Sequence, residues 1–202
     1  MNIHSIDGQV LMTKVDKRKQ IIRTALELIA EHGFHGAPMA MIADRAGVGA
    51  GTIYRYFESK DVLICDLYKE IEQRVTEVIA IGYSPDETVR ERFIHLGSRM
   101  IRYFIDHPME FRYVEQFHNS PYGAEHRKEK ILGIDQGCNI FKLLLEEGIT
   151  SGAIKDFHLA VLFALSFGPI ISVIRDHILG FVQLDGVLIE RIVSACWDGI
   201  KN

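Results

Sequence analysis

The sequence predicts an all-α fold in two parts, a small N-terminal three-helix domain followed by a larger helical domain, on three observations. Apolar residues recur at three- and four-residue spacing along most of the chain, with no strand-like alternation and no internal repeat of about 20 to 50 residues. A glycine turn, Gly47-Val48-Gly49, separates two short helical stretches. Charge is segregated: the first 60 residues hold eight Lys and Arg against six Asp and Glu, and the rest hold fifteen against twenty-one, within a net charge of −4 over 202 residues. That length can bury a sizeable core in one domain or two.

The elements follow in order. Residues 1–15 read as a flexible arm: Met12-Thr13-Lys14 resembles a second start, and MNIHSIDGQVL lacks both the basic region and the apolar core of a signal peptide, which predicts a cytoplasmic protein. Residues 16–63 form the N-terminal domain. Its first helix puts Ile22, Ala25, Leu26 and Ile29 on one face and closes at Gly33-Phe34, a glycine and a returning apolar residue. Its second starts with Pro38 at the first helical position, presents Met39, Ile42, Ala43 and Ala46 inward, and stops at Gly47. Its third runs from Ala50 to Phe57, with Ile53 and Phe57 four apart and docked inward. A fourth helix spans Lys60 to Ala80. Residues 64–202 continue with helices over Pro85–His107, Pro108–His118, about Glu125–Gly148, Leu159–Ile174 and about Asp185–Lys201, with Phe117 to Gly123 as a loop rich in turn formers.

The third helix leaves Ala50, Gly51, Thr52, Tyr54, Arg55 and Tyr56 for another partner. Small, hydroxyl and guanidinium groups suit a DNA groove, where hydroxyls and amides meet phosphates and Arg pairs with guanine. The basic character sits at this end of an otherwise acidic chain, so the predicted grip is a local footprint of a positioned motif.

The run Ile42-Ala43-x-x-Ala46-Gly47-Val48-Gly49-x-Gly51-Thr52-Ile53-Tyr54-x-Tyr56-Phe57-x-x-Lys60-x-x-Leu63 resembles the N-terminal signature of the TetR family of bacterial transcriptional regulators. The resemblance covers roughly Lys17 to Leu63. It implies a helix-turn-helix domain that reads a palindromic operator on double-stranded DNA, with Thr52 and Arg55 at base edges, Tyr54, Tyr56 and Lys60 on phosphates, Gly51 letting the helix approach the backbone closely, and Ala50 on the same DNA-facing surface. It also implies a homodimer, release of the operator by a small effector, and a C-terminal domain for effector binding and dimerisation. The family usually places Thr or Ser where Ala37 and Pro38 stand and Ser where Gly49 stands, so both motif helices lack a side-chain cap, each worth about 0.5 to 2 kcal/mol.

The C-terminal part carries two kinds of apolar surface. Phe93, Leu96, Met100 and Phe104 form a stripe that Tyr113, Phe117, Phe141, Phe163 and Phe167, with Leu145, can face; it reads either as ordinary core or as the wall of a pocket for an apolar or aromatic effector. His95, Arg99, Arg102, Tyr113, Glu115, Gln116, His118 and Asn119 are the polar groups placed to orient such a molecule. The stretch Leu159–Ile174 is free of charge, but its sixteen residues fall short of the about 20 that a membrane span needs, so burial against another copy is predicted. Leu162, Leu165, Ile170 and Val173, with Leu188, Ile192, Val193 and Cys196 of the last helix, are assigned to that interface, two helices per subunit across a two-fold axis.

Catalysis has little support, since G-x-S-x-G, HExxH and phosphate-binding glycine loops are missing. No cofactor and no metal site is assigned. One alternative stays open, a metal-binding protein using His107, His118 and His126, although spacings of eleven and eight fit no helical ligand pair. Cys65, Cys138 and Cys196 are widely spaced and read as structural thiols.

Overall fold

The computed structural model describes residues 14–131 and 140–202. They form helices α1 Lys14–Gly36, α2 Met39–Arg45, α3 Ala50–Ile53, α4 Lys60–Ala80, α5 Val89–Asp106, α6 Pro108–His118, α7 Pro121–Ile131, α8 Ile140–Thr150, α9 Leu159–Ile178 and α10 Gly186–Ile200. Among the described residues there is no strand, only an isolated antiparallel bridge between Ile154 and Lys201. Of the predicted arm, residues 1–13 lie outside the described residues, as does Cys138, whereas Lys14 and Val15 already belong to α1. The chain divides into two compact units, Met1–Leu67 and Tyr68–Asn202, and the division falls within α4.

In the first unit, apolar periodicity becomes a core of Ile21, Ala25, Ile29, Ile42, Ile53, Phe57 and Leu63, each with no exposed surface. The helical conformation of α1 breaks at Gly33, whose φ of 75° only glycine adopts without cost. Gly47 does the same for α2 at φ 66°. Its N–H donates to Asp44 O at 3.0 Å and the Val48 N–H to Ala43 O at 3.0 Å, a Schellman closure that turns the chain toward α3. Neither Pro38 nor Gly49 caps its helix with a side chain. Arg18 braces the unit, 3.4 Å from Asp66 and with its guanidinium 5.3 Å from the centre of the Phe57 ring.

In the second unit, α5 packs against α6, α8, α9 and α10. It starts at Val89 rather than near Pro85, because Thr88 and Glu91 form a capping box: Thr88 Oγ1 accepts from the Glu91 N–H and the Glu91 carboxylate accepts from the Thr88 N–H. A Cβ at Gly97 would lie 2.7 Å from Val193 Cγ1, so the missing side chain sets the close approach of α5 and α10. On the other flank Arg92, buried on α5, makes a two-pronged pair with Glu147 of α8.

Three boundaries differ from the sequence reading. The predicted Glu125–Gly148 helix is α7 and α8, with 132–139 outside the described residues. The Phe117–Gly123 loop shrinks to Asn119 and Ser120, since Ser120 Oγ accepts from the Gly123 N–H at 3.4 Å and Pro121 occupies the first helical position. And α9 continues past Ile174 to Ile178, a 20-residue helix whose most apolar 18 residues have a mean hydropathy of 1.7, long and apolar enough to cross a membrane by length and composition. One side of α9, Leu162, Ser166, Phe167, Ile170 and Ile174, is buried within the unit.

Candidate functional site

The helix α3 is shorter than the Ala50–Phe57 helix predicted. After Ile53 the chain tightens, with the Arg55 N–H donating to Thr52 O and the Tyr56 N–H to Ile53 O, both at 3.1 Å, before the Phe57 N–H returns to Ile53 O at 3.0 Å. The side-chain directions are those expected: Ile53 and Phe57 are fully buried, whereas Ala50, Gly51, Tyr54 and Arg55 are exposed and Thr52 and Tyr56 half-buried. Lys60 is held back. Its ammonium donates to the Phe34 carbonyl at the end of α1, and partial burial pushes its pKa down.

The aromatic residues of the second unit separate into two groups. Phe167 gathers Phe141 at 4.5 Å, Phe163 at 5.5 Å and Phe93 at 6.4 Å between ring centres, and Leu96, Met100 and Phe104 share their core. Trp197, unassigned from the sequence, closes that core 5.6 Å from Phe93. Phe117 instead stacks on Tyr68 at 3.9 Å, and fully buried Tyr113 also lies outside the Phe167 core.

A cleft of about 660 Å³ opens beside that core, lined by Arg74, Glu77 and Val78 of α4, Arg99, Arg102, Tyr103 and Asp106 of α5, His107, and Glu110 of α6. Glu110 is its hub. Arg74 Nη2 donates to Glu110 Oε1 at 2.8 Å, and the Tyr103 hydroxyl donates to Oε2 at 2.5 Å. Burial, with Glu110 adjoining, pushes the Tyr103 phenol up to about 12. His107 stacks on Tyr103 at 4.2 Å. Arg99 Nε donates to Val78 O at 2.9 Å, and Arg102 Nη2 lies 3.7 Å from Glu190. Of the polar candidates, then, Arg99 and Arg102 line the cleft. His95 instead pairs with Ile81 O, Glu115 with Arg175, His118 with Tyr68, and Asn119 with the Glu115 carbonyl. Arg74, Tyr103 and Glu110 escape a sequence reading because nothing local pairs residues 36 positions apart.

Residues 21–66 match the model of bacterial regulatory proteins of the tetR family, and residues 68–202 match that of the tetracyclin repressor-like C-terminal domain. The chain belongs to the TetR family. It is 32% identical over 197 residues to the fatty acid metabolism regulator protein of Bacillus subtilis, covering 94% of this chain and 98% of that one. A putative TetR-family transcriptional regulator from Vibrio parahaemolyticus superposes with a TM-score of 0.73 at 30% identity, covering 93% of this chain and 100% of that one. The transcriptional regulator FadR from Bacillus subtilis, in complex with stearoyl-CoA, superposes with a TM-score of 0.71 at 25% identity, covering 91% and 99%. This TetR-family protein is a DNA-binding transcriptional regulator.

The metal-binding alternative is not supported. In this TetR-family chain His107 belongs to the Tyr103 cleft, while His118 and His126 flank Tyr68, at 5.4 and 4.8 Å between ring centres. Among the described residues no three His, Cys, Asp or Glu side chains converge on a metal position.

The interface assignment is corrected in part. Leu162, Ile170, Val193 and Cys196 are buried in the protomer's own core, because α9 and α10 pack against each other and against α5. Leu165 is exposed, and Val173, Leu188 and Ile192 are half-buried. The open side of α9 presents Val161, Leu165, Gly168, Pro169 and Ser172.

Proposed function

We propose that this TetR-family repressor binds a palindromic operator as a homodimer and is released by a long-chain acyl thioester of coenzyme A. The observation that carries the DNA reading is the division of one short segment. Ile53 and Phe57 are sealed in the core while Tyr54 and Arg55, their neighbours, stand open, so the core fixes the orientation of the reading surface. Thr52 and Arg55 take base edges, Tyr54 and Tyr56 take phosphates, and Ala50 and Gly51 allow close approach to the backbone. Lys60 acts by holding the end of α1, with its remaining N–H groups left for a phosphate. Recognition segments about 34 to 36 Å apart in the dimer match successive major grooves.

The open side of α9 is the proposed dimer surface. It explains why the most apolar 18 residues of α9, with a mean hydropathy of 1.7, are only 22% buried in the protomer. The protein acts in the cytoplasm, where its operator lies, with no catalytic step and no cofactor.

The effector class rests on the relationship to the fatty acid metabolism regulator and on the FadR complex with stearoyl-CoA. The aromatic core around Phe93, Phe141, Phe163 and Phe167 supplies the apolar surroundings an acyl chain requires. An effector that prefers the conformation with misplaced reading segments lowers operator affinity by its coupling free energy, about 1 to 3 kcal/mol. The helix α4 is the lever, since it runs unbroken from Lys60 to Ala80. Fluorescence anisotropy of a labelled duplex from upstream of the gene, titrated with stearoyl-CoA, tests this: operator affinity falls about 5- to 150-fold. Unchanged affinity at saturating stearoyl-CoA refutes the effector class.

A further inference from the structure

The corner between α6 and α7 is built without slack. A Cβ at Gly123 would overlap the Phe117 carbonyl oxygen and lie 2.5 Å from His118 Cα, so the missing side chain lets the first turn of α7 press on the end of α6. Phe117 of that corner stacks on Tyr68 of α4 at 3.9 Å, and Tyr122 of α7 lies nearly parallel to Phe117 at 6.5 Å. The corner therefore meets α4 as one block, at the residue where the second unit begins. Around this contact two histidines converge on one carboxylate. The Tyr68 hydroxyl donates to Glu72 Oε1 at 3.4 Å, and His118 Nε2 lies 3.3 Å from the same hydroxyl. A phenol has a single proton to give, so with it directed at Glu72 the Tyr68 oxygen accepts and His118 Nε2 donates. From α7, His126 Nε2 approaches Glu72 Oε1 at 3.7 Å. That nitrogen is buried, and among the described residues it has no hydrogen-bond partner.

A separation of 3.7 Å is about 0.8 Å longer than a charge-assisted hydrogen bond. A neutral imidazole gains little by closing it. An imidazolium gains an ion pair in a half-buried place and gives a partner to a polar atom otherwise sealed off without one. Histidines ordinarily change charge between pH 5 and 8, where carboxylates are already ionised. Besides Glu72, the titratable groups at the contact are Tyr68 of α4, His118 of α6, and Tyr122 and Glu129, which share the His126 face of α7 by spacing. Glu129 favours a cation at His126, and a second cation at His118 opposes it. Lys69 of α4, Arg112 of α6, and Glu125, Arg127 and Lys128 of α7 are exposed, and Glu115 of α6 is held by Arg175. We infer that His126 and Glu72 form a proton-operated clasp, which at mildly acid pH fastens the α6–α7 corner to α4 and at alkaline pH lets α4 move against that corner. Because α4 continues into the reading domain, the clasp makes operator affinity depend on pH, a consequence that rests on the lever reading above.

Hydrogen–deuterium exchange of the full-length protein at pH 6 and pH 8, corrected for the intrinsic exchange rate, tests the clasp. Wild-type α7 amides are about 3- to 10-fold better protected at pH 6, the range for one net hydrogen bond, and Glu72→Gln and His126→Gln each abolish the difference. Thermal melting at pH 8 verifies that both variants fold. Equal protection at the two pH values in wild type, or a difference that survives in both variants, overturns the clasp. Anisotropy of a duplex from upstream of the gene, at constant ionic strength, tests its reach: the ratio of operator affinities at pH 6 and pH 8 differs between wild type and each variant by a similar factor. An identical ratio in all three proteins confines the clasp to local stability and overturns its regulatory role. A wild-type protein that ignores the duplex at both pH values removes the operator reading, and the exchange measurement still decides the clasp.

Discussion

Arg74 of α4 donates to Glu110 of α6 at 2.8 Å, and the opposite oxygen of that carboxylate accepts from Tyr103 of α5 at 2.5 Å, so one acidic side chain ties three helices together. Glu110→Ala strands a phenol and a guanidinium, and lowers the unfolding free energy by about 1 to 3 kcal/mol in a urea titration. Alkaline pH acts on the same link. The folded-state pKa of Tyr103 is raised, so its stabilisation is complete below the unfolded value of about 10 and is lost as pH rises toward about 12. Tyr103→Phe flattens that decline.

Arg92 and Glu147 respond at the other end of the pH scale. The Arg92 guanidinium is almost fully buried while its partner is half exposed, and the pairing holds the Glu147 carboxyl below its usual pKa. A depressed folded pKa stabilises above the unfolded value, and that contribution disappears as pH falls through the folded one. Glu147→Ala is less stable than wild type by about 1 to 3 kcal/mol at neutral pH, because a buried cation loses its acceptor. The gap between the two urea midpoints closes on acidification.

Adjacent residues in the reading segment behave oppositely. Ile53→Ala opens a cavity under the turn and costs about 2 to 5 kcal/mol. Tyr54 is 53% exposed, and Tyr54→Ala changes stability by less than about 0.5 kcal/mol while weakening DNA binding. Denaturation midpoints and anisotropy on the same two variants check the separation.

Leu165 is 41% exposed on α9, whereas Leu162 is fully buried. Leu165→Arg places a charge in the proposed dimer surface without disturbing the protomer core, so sedimentation velocity shows monomers with an unchanged helical spectrum. A persistent dimer removes α9 from the interface.

The N-terminal domain was legible because its instructions are local. Gly47 and Val48 close α2, Ile53 and Phe57 lie four apart, and each side-chain direction follows from spacing alone. The capping box of Thr88 and Glu91 and the Ser120-Pro121 start are equally local, but Pro85 and the turn formers from Phe117 to Gly123 point to other boundaries. What spacing cannot convey is which of several apolar faces a helix buries. On α9 and α10 the packing against α5 claims Leu162, Ile170, Val193 and Cys196, leaving Leu165 and its neighbours outward. The cleft was hidden for a related reason: Arg74, Tyr103 and Glu110 acquire their roles only when three helices converge.

The central claim is sequence-specific docking of the segment around Thr52 and Arg55. Anisotropy at fixed salt, comparing a duplex from upstream of the gene with a scrambled duplex of the same composition, tests it most directly. Wild type prefers the native duplex by about 10³-fold or more, and Arg55→Ala gives up about 1 to 3 kcal/mol of that preference while its melting curve stays in place. Equal binding of wild type to both duplexes would contradict the account.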